Sequence, residues 1–251
     1  MSTMSLSSVA KETGGQLHGE ALFTSVSTDT RTIAEGALYV ALKGDNFNGN
    51  QFVSNAIAKG AVAAVLSEQP SEDIAHINVD DTRKALGLIA RSNRRLFQGP
   101  VVALTGSAGK TSCKEMLSSI LRQSGKVLAT RGNLNNEVGV PLTLLSIEPH
   151  HQYAVIEMGA SQHGDIAYLC QFAEPDVALV TNAMPAHMQS FGSLENIART
   201  KGEIFESLAG AGVAVINLDD SFSGQWLEQA ADSSVITFST HNTAADVFAR
   251  N

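Results

Sequence analysis

The sequence predicts an α/β protein in two parts. A small mixed α/β domain spans residues 1–99, and a doubly wound, mostly parallel sheet with a phosphate-binding loop spans 100–251. Three observations predict this. Along the second part, short apolar runs alternate with amphipathic stretches, the rhythm of parallel strands joined by crossover helices. A Gly99-Pro100 pair breaks the chain where that rhythm begins. One apolar run leads directly into glycines followed by Lys110-Thr111.

In the first part, Ala37–Leu42 and Ala61–Leu66 are apolar enough for buried strands, and Phe52–Lys59 is helical in pattern. The stretch 82–97 carries Leu86, Ile89, Ala90 and Leu96 at roughly the 3.6-residue period of a surface helix. In the second part the strand candidates are Val101–Thr105, Lys126–Ala129, Tyr153–Glu157, Asp176–Thr181, Val213–Asn217 and Val235–Phe238. Most lack alternation, as expected for strands covered on both faces. Helices are expected over 110–123, with Cys113, Met116, Leu117, Ile120 and Leu121 on one face, and over 195–208 and 221–231.

With 43% hydrophobic and 17% charged residues, the 251-residue chain has material for one large or two modest cores. A net charge of −8 argues against a broad nucleic-acid surface, so an anionic ligand must be held locally. Two cysteines, Cys113 and Cys170, form no disulfide framework and suit a reducing, cytoplasmic setting. No signal-peptide pattern opens the chain, and no run of about 18 apolar residues offers a membrane span.

The sharpest local signal is Leu104-Thr105-Gly106-Ser107-Ala108-Gly109-Lys110-Thr111. Glycines let successive N–H groups turn toward one centre, and a helix N-terminus adds partial positive charge. Lys110 can reach terminal phosphates, and the Thr111 hydroxyl can bind Mg²⁺. The full pattern wants a glycine where Leu104 stands, so the loop is a shortened version. No G-x-G-x-x-G fingerprint is present, and the chemistry points to a nucleoside triphosphate.

Ligands of such sheets bind beyond the carboxyl ends of the strands. Glu157 ends one strand, placed either to share Mg²⁺ with Thr111 or to cap a helix. Thr181-Asn182 ends another, with His187 five residues beyond Asn182, as a ligand or merely a structural histidine. The Asn/Gly loop Gly132–Pro141 can orient a polar ligand or simply turn the chain. Lys201 sits on a helix where its pattern alone does not single it out.

These residues together resemble the Mur ligase family, and the likeness runs over essentially the whole chain. Ser27-Thr28-Asp29-Thr30-Arg31 and Gly36–Gly44 are similar to its UDP-binding N-terminal domain, and Thr105–Thr111 to its shortened phosphate loop. Glu157, Asn182–His187 and Lys201 follow in the family's order. Asn133–Leu145 (NLNNEVGVPLTLL) and Glu157–Ala160 (EMGA) resemble the branch that joins D-alanyl-D-alanine to UDP-N-acetylmuramoyl-tripeptide. The alternatives are the branch that adds a diamino acid, and a nucleotide-binding module that no longer ligates.

The resemblance implies a ligase forming carbon–nitrogen bonds through an acyl phosphate, with ATP and Mg²⁺ as cofactors. It implies that Gly106, Ser107, Ala108, Gly109, Lys110, Thr111 and Asn182 hold the nucleotide. Thr111, Glu157, His187 and Lys201 would serve metal ions, with Lys110, His187 and Lys201 catalytic and Lys201 open to carbamylation by CO₂. Ser27, Asp29, Thr30, Arg31 and Lys43 fall at the UDP end of the precursor. Asn133, Asn135, Asn136 and Ser161 fall where its muramoyl-peptide passes. A monomer is expected. The family carries a further C-terminal domain and an Arg/His/Asn-rich segment near adenine, so the chain is expected to be a truncated ligase, inactive alone.

Overall fold

The structure is a computed structural model and describes residues 1, 3–44, 46–186, 188–208 and 210–249, the side chain of Met188 excepted. The chain folds into two compact units: Met1–Phe97 with Leu144–Pro149, and Gln98–Thr143 with His150–Asn251. The first unit thus takes in a short segment from well beyond the Gly99-Pro100 junction. Within that unit, Asn93 Nδ2 donates to the carbonyls of Leu144 and Ile147 at 2.9 and 3.1 Å.

The first unit is built on a five-stranded sheet ordered β2-β9-β8-β5-β4. Its strands are β2 (Gln16–His18), β4 (Ser25–Ser27), β5 (Ala37–Val40), β8 (Ala61–Leu66) and β9 (His76–Asn78). All pairs are parallel except β2 with β9. Two-residue ribbons pair β1 (Met4–Ser5) with β3 (Leu22–Phe23), and β6 (Lys43–Gly44) with β7 (Phe47–Asn48). Helices α1 (Leu6–Thr13), α2 (Val53–Ala58) and α3 (Thr82–Leu96) complete the unit. The ends of α1 and α3 are chemically marked. Ser5 Oγ accepts from Ser8 N and Gly14 closes α1 at φ 68°, while Asp81 accepts from Arg83 N and Lys84 N at the start of α3. The sequence pattern misses α1, β2, β4 and β9, because runs this short carry little periodicity.

The second unit is a seven-stranded, wholly parallel sheet ordered β11-β12-β10-β13-β14-β15-β16. Its strands are β10 (Val101–Thr105), β11 (Val127–Ala129), β12 (Tyr153–Glu157), β13 (Val177–Val180), β14 (Val213–Asn217), β15 (Ser234–Ser239) and β16 (Val247–Phe248). Helices α4 (Lys110–Leu121), α5 (Gly139–Leu145, its last two residues counted with the first unit), α6 (Asp165–Ala173), α7 (Met188–Phe191), α8 (Leu194–Glu206) and α9 (Ser223–Gln229) follow in chain order. The α/β architecture with a doubly wound parallel sheet is as the sequence predicts. Central β10 and β12 are buried almost throughout, whereas outer β14 and β15 alternate. From β10 the chain crosses to β11 at one edge, and from β13 it moves to β14 on the other side, so the loops after β10 and β13 flank a crevice of the kind that binds ligands.

Two local expectations are corrected, and one segment without a sequence expectation is assigned. The Gly132–Pro141 segment is not all loop: Asn136 Oδ1 accepts from Val138 N and Gly139 N and starts α5. Pro141 fits there because the first turn of a helix needs few donors. The run 165–173, left unassigned by periodicity, is the helix α6. On α4, Met116 and Ile120 are each 62% exposed, and the buried positions are Lys114 and Ser118. The lysine turns inward because a carbonyl waits for it there. Among the described residues, no helix is long and apolar enough to cross a membrane.

Candidate active site

The phosphate loop closes the end of β10. Gly106 has φ +154°, and a Cβ there would lie 1.9 Å from Thr181 Oγ1, so the position admits only glycine. Gly109, at φ +77°, turns the chain into α4. The segment after β13 braces the loop. Asn182 accepts from Ala108 N through Oδ1 at 3.0 Å and donates from Nδ2 to Ala108 O at 3.2 Å. Ser107 N donates to Asn182 O at 3.0 Å, and Ser107 Oγ donates to Met184 O at 2.9 Å. Asn182, expected as a nucleotide contact, is therefore also what shapes the loop. Lys110 Nζ folds back onto the carbonyl of Gly106 at 2.8 Å.

Glu157 ends β12 only 2% exposed. Its Oε2 accepts from Thr111 Oγ1 at 3.0 Å and its Oε1 from Asn135 Nδ2 at 2.9 Å. Its backbone N donates to Thr130 Oγ1 at 2.9 Å. A carboxylate this buried, met only by neutral donors among the described residues, has charge to share with a cation. With the Thr111 hydroxyl it fits Mg²⁺, which takes few protein oxygens and completes its shell with phosphate and water. Both residues line one cavity with the loop and Asn133. Among the described residues no cluster of three or more His, Cys, Asp or Glu gathers. His187 lies outside the described residues.

A second cavity, of about 240 Å³, adjoins the loop and holds Lys110, Lys201, Asn135, Asn136, Ser161 and Tyr168 in its wall. Lys201 is 5% exposed, on α8. Burial, and then the nearby charge of Lys110, push its amine down to about 8. Helix α8 starts at Ser193, whose Oγ accepts from Asn196 N. It is tied to α6 by Glu203, a 4% exposed carboxylate that accepts from Gly164 N and Ala167 N at 2.8 and 2.9 Å. Ser161 N and Gln162 N donate to Asp165 Oδ2, which sets the Ser161 turn. Lys110, Lys201, Asn135, Asn136 and Ser161, distant in sequence, thus face one space.

The first unit has its own cavity of about 510 Å³, lined by Thr28, Asp29, Thr30, Arg31, Tyr39, Phe47 and Phe52. The Arg31 guanidinium is bonded to Asp29, with Nη2 to Oδ2 at 2.6 Å, and holds that carboxyl down at about 2. Ser27 is a turn former, donating from Oγ to Asp29 O and accepting from Asp29 N. Lys43 is elsewhere: its Nζ pairs with Glu68 at 2.8 Å, and it does not line this cavity. The rings of Phe47 and Phe52 stack with centroids 5.6 Å apart and planes 10° from parallel.

Comparison with known proteins decides the family. Residues 104–251 match the model of the Mur ligase middle domain, and residues 22–94 match that of the Mur ligase family, catalytic domain. The chain belongs to the Mur ligase family. It is 42% identical to the UDP-N-acetylmuramoyl-tripeptide--D-alanyl-D-alanine ligase of Escherichia coli, over 100% of this chain and 56% of that one. Its structure is similar to that of MurF from Acinetobacter baumannii, with a TM-score of 0.93 and 36% identity, covering 100% of this chain and 56% of that one. It also resembles the MurF ligase of Thermotoga maritima in complex with ADP, with a TM-score of 0.76 and 33% identity over 87% of this chain and 51% of that one. The chain spans about half the length of the curated relatives it matches.

Several residues of this Mur ligase chain escaped sequence reasoning. Glu203 and Lys114 are charged residues on helices, which a sequence reader leaves in solvent. Tyr168 lies on the unassigned α6. Phe47 and Phe52 carried only a weak signal, two aromatics five apart in a chain with 6% aromatic residues; the fold brings them to the Thr28–Arg31 turn.

Proposed function

We propose that this chain serves in the ATP-dependent joining of D-alanyl-D-alanine to UDP-N-acetylmuramoyl-tripeptide, as its E. coli relative is named for. The observation that carries this reading is the shared cavity wall in which Lys110 of the phosphate loop faces Lys201, with Thr111 and Glu157 paired beside it. The first unit, residues 1–97 with 144–149, takes the UDP end of the precursor, with Thr28–Arg31 and the two phenylalanines as its walls. The second unit takes ATP and Mg²⁺.

The chemistry is chiefly positioning and charge neutralisation. When bound, ATP would supply the phosphoryl group and Mg²⁺ would neutralise charge on its oxygens. The N–H groups of the loop and the N-terminus of α4 orient the phosphates. Lys110 leaves the Gly106 carbonyl to follow the charge that develops on the transferred group. Thr111 and Glu157 would hold the metal, and Lys201, as a carbamate, together with His187 would serve a second one. Asn133, Asn135, Asn136 and Ser161 guide the muramoyl-peptide carboxylate toward the γ-phosphate. The carboxylate oxygen bonds to the γ-phosphorus as the bond to ADP breaks, giving an acyl phosphate and ADP; the dipeptide amine then attacks the carbonyl carbon, loses a proton to water, and phosphate leaves. A monomer working in the cytoplasm suits this role.

Calorimetric titration of UDP-muramoyl-tripeptide against UDP-muramoyl-dipeptide, in the presence of Mg²⁺ and an ATP analogue, tests the proposal. Tighter binding of the tripeptide is expected. Preference for the dipeptide would move the chain to the branch that adds a diamino acid.

A further inference from the structure

Lys114 is 1% exposed, yet it lines neither of the cavities beside the phosphate loop. Its Nζ donates to the carbonyl of Thr130 at 2.7 Å and pairs with the solvent-facing Glu115 at 3.0 Å. Burying an amine is unfavourable unless directional bonds repay it, and an apolar side chain of similar length would fill such a slot more easily. What the amine holds explains its presence.

Thr130 is itself 1% exposed and is bound on three sides. Its N donates to Val155 O at 3.0 Å, its Oγ1 accepts from Glu157 N at 2.9 Å, and its carbonyl accepts from Lys114. It is the last point at which the chain is tied to the sheet before the Asn loop departs. Five residues on, Asn135 donates to Glu157 Oε1 and its carbonyl accepts from Gly159 N at 2.8 Å. Thr111, three residues before Lys114 on α4, donates to the other oxygen of Glu157. Helix α4 therefore grips the Glu157 neighbourhood twice: directly through Thr111, and through Thr130 by means of Lys114.

We propose that Lys114 is a positioning residue for the cation site of Thr111 and Glu157, acting through the Thr130 carbonyl it binds. It fixes where the Asn loop leaves the sheet, and so sets Asn135 and the Glu157 carboxylate against the phosphate loop. This rests on the reading of Thr111 and Glu157 as Mg²⁺ ligands.

The test measures the affinity of a non-hydrolysable ATP analogue with and without Mg²⁺, together with thermal unfolding, in the wild-type chain, Lys114→Met and Thr130→Val. Lys114→Met is expected to unfold cooperatively, the unpaired Thr130 carbonyl being offset in part by removal of a buried amine. Its metal-free affinity should stay within twofold, while the tightening produced by Mg²⁺ falls at least tenfold. Thr130→Val, which keeps the carbonyl and drops the hydroxyl acceptor of Glu157, should show the same selective loss. Full retention of the Mg²⁺ effect in both variants overturns the proposal, as does an equal loss with and without metal. If neither variant unfolds cooperatively, Lys114 and Thr130 hold the fold and not the site, and the proposal fails. A wild-type chain that shows no Mg²⁺ effect instead removes the cation site itself, a result visible before any substitution is made.

Discussion

Thr111 Oγ1 donates to Glu157 Oε2 at 3.0 Å, joining the first turn of α4 to the carboxyl end of β12. Thr111 is exposed and Glu157 is 2% exposed, so the hydroxyl is the outer edge of a carboxylate otherwise sealed in protein. Glu157→Gln keeps the shape and removes the charge. The expected result is a loss of Mg²⁺-dependent nucleotide affinity of tenfold or more, with no loss of thermal stability, because a buried carboxylate met only by neutral donors among the described residues is itself destabilising. Unchanged Mg²⁺ dependence in calorimetry would remove Glu157 from the metal site.

Lys201 gives a pH signature. Burial lowers its amine from 10.5 to about 8. Protonating it in the folded chain is therefore unfavourable relative to the unfolded chain. That penalty is absent above pH 10.5, grows as pH falls toward about 8, and is constant below. It amounts to at most about 3 kcal/mol. Lys201→Met should raise the Tm relative to wild type at neutral pH, and the gain should shrink as pH rises toward 10.5. The same depression leaves a neutral amine available to CO₂ near pH 8. With ¹³C-bicarbonate, a carbamate resonance should grow from pH 7 to 9 and be missing in Lys201→Ala. In the ligation assay of a full-length ligase carrying the same substitution, short-chain carboxylic acids should partly restore the rate. A resonance that does not respond to pH, with no rescue, would end the carbamate idea.

Gly106→Ala places a methyl group 1.9 Å from Thr181 Oγ1 at a φ of +154°. The phosphate loop should be displaced and ATP-analogue affinity should drop by tenfold or more. Removing the obstacle with Thr181→Ala should recover part of the loss, since the next contact, Thr181 Cβ at 3.1 Å, disappears as a clash only if the strand end relaxes slightly. A double variant no better than Gly106→Ala would show that the backbone angle alone is responsible.

Arg31 is exposed and paired with Asp29, so solvent screens the pair and it should add little to stability. If the guanidinium is lent to the diphosphate of the precursor, Arg31→Ala weakens binding of the UDP precursor several-fold and leaves ATP-analogue affinity unchanged. Equal weakening of both ligands by calorimetry would indicate a folding defect. No change in either would mean that Arg31 only shapes the turn.

The elements that sequence reading located are those whose cause is local. The phosphate loop is consecutive in sequence, and its glycines, lysine and threonine act through the backbone they belong to. Val101–Thr105, Tyr153–Glu157 and Val213–Asn217 are strands over the predicted residues, because an apolar run covered on both faces is a statement about neighbours along the chain. Short α1 and β2 stayed hidden because a few residues hold too little of either period.

What only the tertiary structure decided depends on partners far apart in sequence. Met116 and Ile120 make a plausible buried face for α4, yet Lys114 goes inside, because the carbonyl of Thr130 stands 2.7 Å from its nitrogen. Asn182 looked like a ligand contact and is also a brace of Ala108. Lys43 looked like a diphosphate contact and pairs with Glu68, 25 residues on. Leu144–Pro149 belongs with the first unit because Asn93 bonds its carbonyls. Hydropathy and propensity record how a residue treats water and its own backbone. They do not record which buried carbonyl or carboxylate needs a donor, and here those needs decided where the charged side chains went.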